Sequence, residues 1–315
     1  MRKPPERDDD LDYRHAPGTR VHYRAHQRTT DLTAVGGLVL QLPGIAFSLL
    51  IVLLLSRGLE SASGVPYWIP AALWLAAGVL GLHRPTETLL ARYLLHLKHP
   101  LPHEVAVLAP VWREVTARAG VEGSRYALWI EESAEVTATS AGGHLVIVTR
   151  HSLETLSTSQ LAAVLAHELG HHTAGHTWTR LLSWWYALPG RLLGLALVTA
   201  ARSALRGAKR VSVPAALAIL AILGCVSYRA LTLTFGLPLL LVALPFLTAA
   251  VGRRAELRAD RHAAALGFAP QLAEVLAVEP EEDAPSTLRL MLSPHPHHRT
   301  RLHRLQPYLV PTRGR

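Results

Sequence analysis

Two apolar segments near the N-terminus dominate the hydrophobic pattern of the chain. Residues 32–55 are uncharged and mostly apolar, and they are long enough to cross a bilayer core of about 30 Å. Residues 65–82 form a second apolar run that begins with Tyr67 and Trp68, as expected of aromatic anchors at a membrane interface. The first run is too long, and lies too far along the chain, for a secretory signal. The pattern therefore predicts an uncleaved transmembrane hairpin over 32–83.

Basic residues flank this predicted hairpin on both sides. The connector between its two helices contains a single one, Arg57, whereas several precede the first helix or follow the second: Arg20, Arg24, Arg28, Arg84, Arg92 and Lys98. Cytoplasmic loops of membrane proteins are enriched in Lys and Arg. We therefore expect a multi-pass protein of the cell (plasma) membrane, with residues 1–31 as a flexible tail and most of the chain in the cytoplasm.

Residues 84–180 have the polarity of a soluble domain. The pattern predicts a helix over 103–119 and a strand over 126–130. It also predicts an antiparallel β-hairpin that pairs 135–139 with 144–149 around a Gly-Gly turn. The stretch from Ser157 to Gln160 fits a capping box, which predicts the start of a helix containing LAAVLAHELGHH.

The chain becomes apolar again over residues 181–251. Three segments compete there as membrane crossings: 181–201, 212–227 and 231–251. After Arg253 the chain becomes polar again. The pattern predicts a helix over 253–266 and a loop rich in Pro and Glu over 279–285. A basic terminal helix that ends at 307 and a short tail over 308–315 follow.

The composition narrows the class of protein. Half of the residues are hydrophobic and 17% are charged, which argues against a disordered chain, a coiled coil and a purely soluble enzyme. Cys225 is the single cysteine, so the chain has no internal disulfide and no cysteine-based zinc site. The net charge is +9, but the chain contains no basic run interleaved with aromatic residues, so we expect no nucleic-acid partner. We interpret the excess of basic residues as a signal of membrane topology and as affinity for the lipid bilayer.

The chemistry is carried by His167-Glu168-Leu169-Gly170-His171, an HExxH motif. Histidines four residues apart project from one face of a helix, so both imidazoles reach one zinc ion at about 2.0–2.1 Å. Zinc lowers the pKa of its bound water to about 7, and Glu168 is placed to take the proton. The predicted helix is apolar, where two histidines and a glutamate are expensive without a metal.

A zinc site needs a third protein ligand. In the extended HExxHxxGxxH pattern it is a histidine ten residues after the first, but Thr177 holds that position, so the extended pattern fails. Glu256 and Asp260 offer carboxylates one helical turn apart, with Glu256 as ligand and Asp260 holding the distal nitrogen of a ligand histidine. The alternative for this pair is an exposed, charged helix flank among arginines.

A shared zinc constrains the topology, because residues 177–255 must then cross the membrane an even number of times. In one solution 181–201 spans the membrane and 212–251 returns as one long or broken crossing. In the other, 181–201 stays at the inner surface and 212–251 forms a tight hairpin. We favour the first. Both predict a mainly α-helical membrane protein with about four transmembrane helices.

Four stretches within residues 84–307 make the chain resemble the integral-membrane zinc metalloproteases of the HtpX and CAAX-prenyl-endopeptidase type. They are GGHLVIVTRHSLETL, LAAVLAHELGHHTAGH, RRAELRAD, and His295-Pro296 followed by Arg301. The resemblance implies a helical zinc-metalloprotease domain over 84–307 with a small β-sheet, interrupted by membrane segments within 181–251. It also implies one Zn²⁺ per chain.

The resemblance also implies a role for each matched residue. His167, His171 and Glu256 are the implied zinc ligands, Glu168 the base and Asp260 a support for the ligands. His295 and Arg301 are implied to face the tetrahedral oxyanion or the substrate backbone. The second proline of the family's His-Pro-Pro motif is His297 here, which leaves His295, His297 and His298 as competing candidates. Residues 135–138 match the family's edge strand poorly; if they form an edge, β-augmentation by substrate is expected.

The sequence thus favours a membrane-embedded zinc metalloendopeptidase that hydrolyses peptide bonds of a protein or peptide substrate. The resemblance implies quality control or processing of membrane proteins. One alternative is a signalling protease that cleaves a regulator, but the short 56–64 connector leaves no room for an external sensor domain. A second alternative is a non-catalytic zinc-binding membrane scaffold.

Overall fold

The computed structural model describes residues 9–15, 30–133, 138–208, 237–278 and 287–309, with isolated residues between 214 and 229. The predicted 279–285 loop, strand residues 135–137, much of the 212–236 region and the last six residues of the predicted tail lie outside this part. The helices are α1 (Leu32–Ser63), α2 (Trp68–Leu80), α3 (Arg84–Tyr93), α4 (Pro102–Ala119), α5 (Arg150–Thr155), α6 (Thr158–Thr173), α7 (His176–Ala208), α8 (Leu237–Ala265), α9 (Ala269–Val278), α10 (Thr287–Leu292) and α11 (His298–Leu309). The strands are β1 (Ala127–Glu131), β2 (Ala138–Ala141) and β3 (Leu145–Thr149).

The described chain is mainly helical, with a small sheet of strand order β1-β3-β2. Strand β3 is buried along its whole length and pairs antiparallel with β2, which confirms the predicted hairpin. It also pairs parallel with β1, an arrangement that the hairpin pattern did not predict. Gly142 supplies the positive φ of +59° in the β2–β3 turn, and buried Glu87 of α3 accepts hydrogen bonds from the Gly143 N–H and the His144 ring. Because the strand order is β1-β3-β2, one edge of β2 faces no other strand of the described sheet.

Helix α6 forms the centre of the main core. Its predicted capping box is present, with the Ser157 hydroxyl accepting from the Gln160 N–H and the Gln160 side chain accepting from the Ser157 N–H. Nearly every residue of α6 is buried, and the helix packs against α4, α8 and α9. Gly170 allows the close approach of α8, because a Cβ there would lie 3.1 Å from the Ala259 Cα.

Residues 9–15 differ from the flexible tail predicted over 1–31, because they pack against the α4–α6 core. The Leu11 side chain is buried in that core. Asp10 accepts hydrogen bonds from the Ser159 N–H and hydroxyl at the start of α6. The buried Glu114 carboxylate of α4 accepts the N–H groups of Arg14 and His15. Leu11, the partly buried Tyr13 and a few polar contacts hold this segment, and such a short interaction leaves no hydrophobic periodicity in the sequence.

Helices α1 and α7 begin side by side and run in the same direction. Near their start the Thr33 hydroxyl lies 2.7 Å from Nε2 of His176, and further along the Gly190 N–H donates to the Ser48 hydroxyl at 3.0 Å. Helix α2 returns alongside them, with the Tyr186 hydroxyl donating to the Leu75 carbonyl. Residues Leu32–Ser63 and His176–Ala200 are long and apolar enough to cross a membrane, and only 6% and 11% of their most apolar windows are buried.

Helix α8 brings the chain back to the core. Its Val251 packs beside Gly37 of α1, and a few residues later it reaches α6. His176–Ala200 is a candidate span, as the first of the two predicted topologies requires, and the choice between the two topologies stays a prediction. Helix α2 is thirteen residues long, shorter than a typical crossing, so the count of four transmembrane helices stays a prediction.

Candidate active site

The two histidines of the HExxH motif lie one turn apart on the same face of α6. Their ring centroids are 4.9 Å apart, and one ligand atom from each of His167, Glu168 and His171 lies within 4.8 Å of the others. The side chains of His167 and Glu168 are buried in the wall of a cleft, and that of His171 is half-buried. A capped, packed helix holds all three groups in place before any ligand arrives.

Helix α8 adds Glu256 to this pair. Its Oε2 lies 3.5 Å from Nε2 of His167, and its Oε1 lies 3.5 Å from Nε2 of His171. Ligands about 2.0–2.1 Å from a tetrahedral zinc ion are separated by roughly 3.4 Å, so these three side chains fit one ion. Burial lowers the pKa of His171 to about 3, and the His167 charge adds to that effect. His171 is thus neutral, the form that binds a metal.

The charge around His167 favours a cation. Burial lowers the pKa of its imidazole, but Asp260 and Glu256 outweigh burial and raise that pKa to about 9. Burial raises the pKa of Glu256, and its two histidine neighbours and His295 overcome this and lower it. The negative potential that holds a proton on His167 would hold a zinc ion in its place, because both are positively charged.

Asp260 supports His167 from behind. Its Oδ1 lies 2.9 Å from Nδ1 of His167, so the carboxylate orients the ring and leaves Nε2 facing Glu256. Asp260 is 1% exposed, and a charge buried this deeply needs a partner. Arg301 of α11 provides it with two hydrogen bonds, from Nε to Oδ2 and from Nη2 to Oδ1. Two of the Arg301 nitrogens are therefore engaged with Asp260.

Glu168 lies in the cleft wall beside the two histidines. Burial raises the pKa of its carboxyl to about 7, against opposing contributions from His167 and from a hydrogen bond with Ser140. Ser140 belongs to β2, so the free edge of the sheet adjoins this carboxyl. A carboxylate with a pKa near neutrality exchanges protons readily at physiological pH.

The cleft has a volume of about 320 Å³ and joins the sheet edge to the face of α6 that carries His167 and His171. Its wall includes Ala138, Thr139 and Ser140 of β2. Part of the wall is apolar, formed by Val164, Leu272, Val275 and Leu276, which share one cluster. The lining also includes His295, Pro296 and Arg180. Neither Ser140 nor Arg180 is predictable from the sequence, because Ser140 lies in a short edge strand and Arg180 precedes an apolar segment without any motif.

Of the three candidate histidines near the C-terminus, His295 is the one that lines the cleft. Its Nδ1 lies 3.3 Å from Oε1 of Glu256, and its side chain is 63% exposed. The hydrogen bond with Glu256 raises the pKa of His295; burial and the nearby charges of Arg180 and Arg301 oppose that rise. The His297 and His298 rings pack on each other with centroids 4.2 Å apart.

A second cavity of about 370 Å³ lies between α1, α7 and α8 and reaches His171, Glu256 and His295. Thr33 at the start of α1 lines this cavity, and polar contacts next to it join α1 to α8. Arg258 of α8 forms an ion pair with Asp31 at 2.7 Å, and Asp31 accepts a hydrogen bond from the Thr33 hydroxyl. The first helix of the chain is thus tied to the helix that carries Glu256 and Asp260.

Two histidines and a glutamate on one helix, with a carboxylate from a second helix within coordination distance, form the kind of site that metallopeptidases use. Comparison with known protein families matches residues 102–308 to Peptidase family M48. The chain belongs to this family, that of the HtpX and CAAX-protease-type membrane zinc metalloproteases, which confirms the resemblance found in the sequence. It is therefore a metallopeptidase. A search of curated proteins found no match.

Proposed function

We propose that this protein is a membrane-embedded zinc endopeptidase whose active site is built by His167, Glu168, His171 and Glu256. The observation that carries the proposal is the pair of 3.5 Å separations between Glu256 and the two histidines, which suit a single tetrahedral ion. Family membership adds the expectation of zinc, and a ligand set of two histidines and one carboxylate suits zinc well.

His167, His171 and Glu256 would hold the ion, one per chain. When bound, zinc acidifies a water molecule and polarises the scissile carbonyl. Glu168 acts as the general base, because its carboxyl lies in the cleft wall beside both histidines. It accepts a proton from the attacking water and delivers it to the departing amine.

The remaining groups orient substrate and ligands. His295 donates toward the developing oxyanion from the cleft wall, a type of contact worth a few kcal/mol in the transition state. Arg301 lines the same wall and holds Asp260 in place, and Asp260 holds His167. An extended peptide would add to the free edge of β2, so that main-chain hydrogen bonds position the scissile bond above Glu168.

We further propose that α1 and α7 anchor the enzyme in the plasma membrane as part of a multi-pass arrangement, with the catalytic domain on the cytoplasmic side. Both helices are long, apolar and little buried within the protein. The active site lies at the N-terminal ends of these helices, a position that suits substrates that are membrane proteins or lie at the membrane. The family resemblance points to their quality control or processing.

The test is cleavage of casein by the full chain in detergent, with zinc content measured on the same samples. Glu168→Gln is the matched variant, because it keeps the ligand set and removes the base. Activity in the parent alone, with about one zinc in each protein, would support the proposal. Zinc in both with activity in neither would favour the non-catalytic scaffold, and absence of zinc from both would refute the zinc enzyme.

A further inference from the structure

Arg180 lies where the two cavities meet. It belongs to the second turn of α7 and lines both the cleft and the second cavity, as do His295 and Glu256. Its side chain is exposed. A cation is therefore present where the two cavities meet, beside the proposed catalytic groups.

Three other arginines of this region are engaged within the protein. Arg301 binds Asp260, and Arg258 pairs with Asp31. Arg253 donates to the backbone carbonyls of Leu290, Met291 and Ser293. Arg180, by contrast, forms no ion pair or hydrogen bond with any residue that the structure describes. Its guanidinium remains available to a ligand in the cleft.

Another part of the cleft wall has a different chemistry. Val164 lies one turn before His167 on α6 and packs in one apolar cluster with Leu272, Val275 and Leu276 of α9. His171 lies one turn after His167, its ring is 5.8 Å from that of His176, and Arg180 follows one turn later on α7, so the histidines of the motif separate the apolar wall from Arg180. A peptide along β2 would thus meet an apolar wall on one side of the metal-binding face and a free guanidinium on the other.

We propose that Arg180 selects substrates with a carboxylate on one side of the scissile bond and an apolar side chain on the other. A guanidinium binds a carboxylate through two parallel hydrogen bonds, which fixes position as well as charge. This inference rests on the proposed endopeptidase function and assigns it a substrate class. The carboxylate can belong to a Glu or Asp side chain or to the C-terminus of the substrate.

The test uses fluorogenic peptides and the zinc-loaded full chain in an uncharged detergent. Each peptide carries Leu next to the scissile bond and either Glu or Gln at one of three positions on the other side, in both orientations. We expect kcat/KM to be about fivefold higher for Glu than for Gln at one of these positions, the scale of an exposed ion pair. Raising the salt concentration should reduce this ratio. Versions of each peptide with a free C-terminal carboxylate or a C-terminal amide show whether the side-chain carboxylate or the chain end is recognised.

Two variants assign the preference to Arg180. In Arg180→Gln the ratio should fall to one, and Arg180→Glu should favour Lys over Glu at the same position. Arg191→Gln is the matched control, because Arg191 lies on the same helix and lines the second cavity but not the cleft. It should keep the ratio of the parent. A preference that persists in Arg180→Gln, or equal values for every Glu and Gln pair, would overturn the proposal.

A binding experiment separates this proposal from the proposed activity. Glu168→Gln removes the base but leaves Arg180 and the cleft wall, so the Kd of labelled Glu and Gln peptides can be measured without turnover. Tighter binding of the Glu peptide that is lost on adding Arg180→Gln supports the assignment even if no cleavage occurs. A preference present in detergent but abolished in phosphatidylglycerol vesicles would assign Arg180 to lipid phosphate and refute it.

Discussion

Arg301 donates two hydrogen bonds to Asp260, at 2.9 Å from Nε to Oδ2 and at 2.6 Å from Nη2 to Oδ1. Asp260 in turn lies 2.9 Å from Nδ1 of His167. An arginine from the C-terminal helix therefore orients a ligand of the proposed zinc site through an intervening carboxylate. This chain of contacts joins α11, α8 and α6.

Arg301→Lys should weaken zinc binding, because a lysine ammonium cannot form the paired hydrogen bonds that hold both Asp260 oxygens. Loss of a partner that orients a metal ligand typically lowers metal affinity by about 10–100-fold. Competition with a fluorescent chelator measures the zinc Kd directly. Arg304→Lys is the control, since Arg304 lies on the same helix and is exposed. Equal affinities for the two variants would refute the positioning role of Arg301.

Gly170→Ala should destabilise the protein, because the new Cβ would lie 3.1 Å from both the Ala259 Cα and the His262 Cβ. Helix α8 would have to move away from α6, at about 1–3 kcal/mol in the free energy of unfolding. The same movement would draw Glu256 away from the histidines, so zinc affinity should fall as well. In Gly194→Ala the new Cβ meets open space, and that variant should unfold at or above the parent temperature. Thermal unfolding in detergent measures both.

Glu114 should make the domain sensitive to acid. Burial raises the pKa of this carboxyl, but hydrogen bonds from Arg118 and from the Arg14 and His15 N–H groups outweigh it and lower the pKa below the ordinary 4.5. The ionised carboxylate therefore stabilises the fold fully above about pH 4.5, and this contribution is lost as the pH falls through the lower, folded-state pKa.

Glu114→Gln tests this contribution. It leaves the buried Arg118 guanidinium without its carboxylate and should lower the free energy of unfolding by about 3 kcal/mol at pH 7. The difference between parent and variant should shrink toward acid pH, as followed by circular dichroism. Glu132→Gln, at an exposed carboxylate that pairs with Lys98 and Arg150, should have little effect at any pH. A difference that is constant with pH would contradict the prediction.

Gly190→Ala should disturb the packing of α1 on α7. Its Cβ would lie 2.9 Å from the Ser48 Oγ and 3.1 Å from Phe47, in a helix contact that depends on small residues. Ser48→Ala alone loses the hydrogen bond from the Gly190 N–H, worth about 0.6 kcal/mol on average within membranes. The two changes should be less than additive, because removing the Ser48 hydroxyl also relieves one clash. Additive losses of folded protein after heating, measured by size-exclusion chromatography, would contradict this coupling.

Much of the site was predictable because local patterns encode it. The capping box at Ser157 and the i, i+4 spacing of His167 and His171 each describe contacts within one helix. Glu256 and Asp260 were found because their spacing matches a helix turn and a zinc site needs a third ligand. The structure brings Glu256 within 3.5 Å of both histidines and Asp260 within 2.9 Å of His167. The role of Glu256 as a ligand belongs to the proposed function.

The rest of the site depends on contacts between distant parts of the chain. The two hydrogen bonds of Arg301 to Asp260 join residues of separate helices, so the family motif suggested a role in the cleft but not this partner. The parallel pairing of β1 with β3 crosses over a strand, a connection that hairpin patterns do not encode. Arg180 belongs to no sequence motif, and only the folded structure shows that it lines both cavities.

The route of the chain between the ligands has a consequence for biosynthesis. Helix α6, with both histidines, leaves the ribosome first, whereas Glu256 follows only after the chain has run out along α7 and back along α8. Proteins fold progressively as they are translated, but this metal site cannot be completed until the intervening helices are in place. A nascent enzyme of the proposed kind would therefore emerge as an inactive precursor, with no need for a removable inhibitory segment.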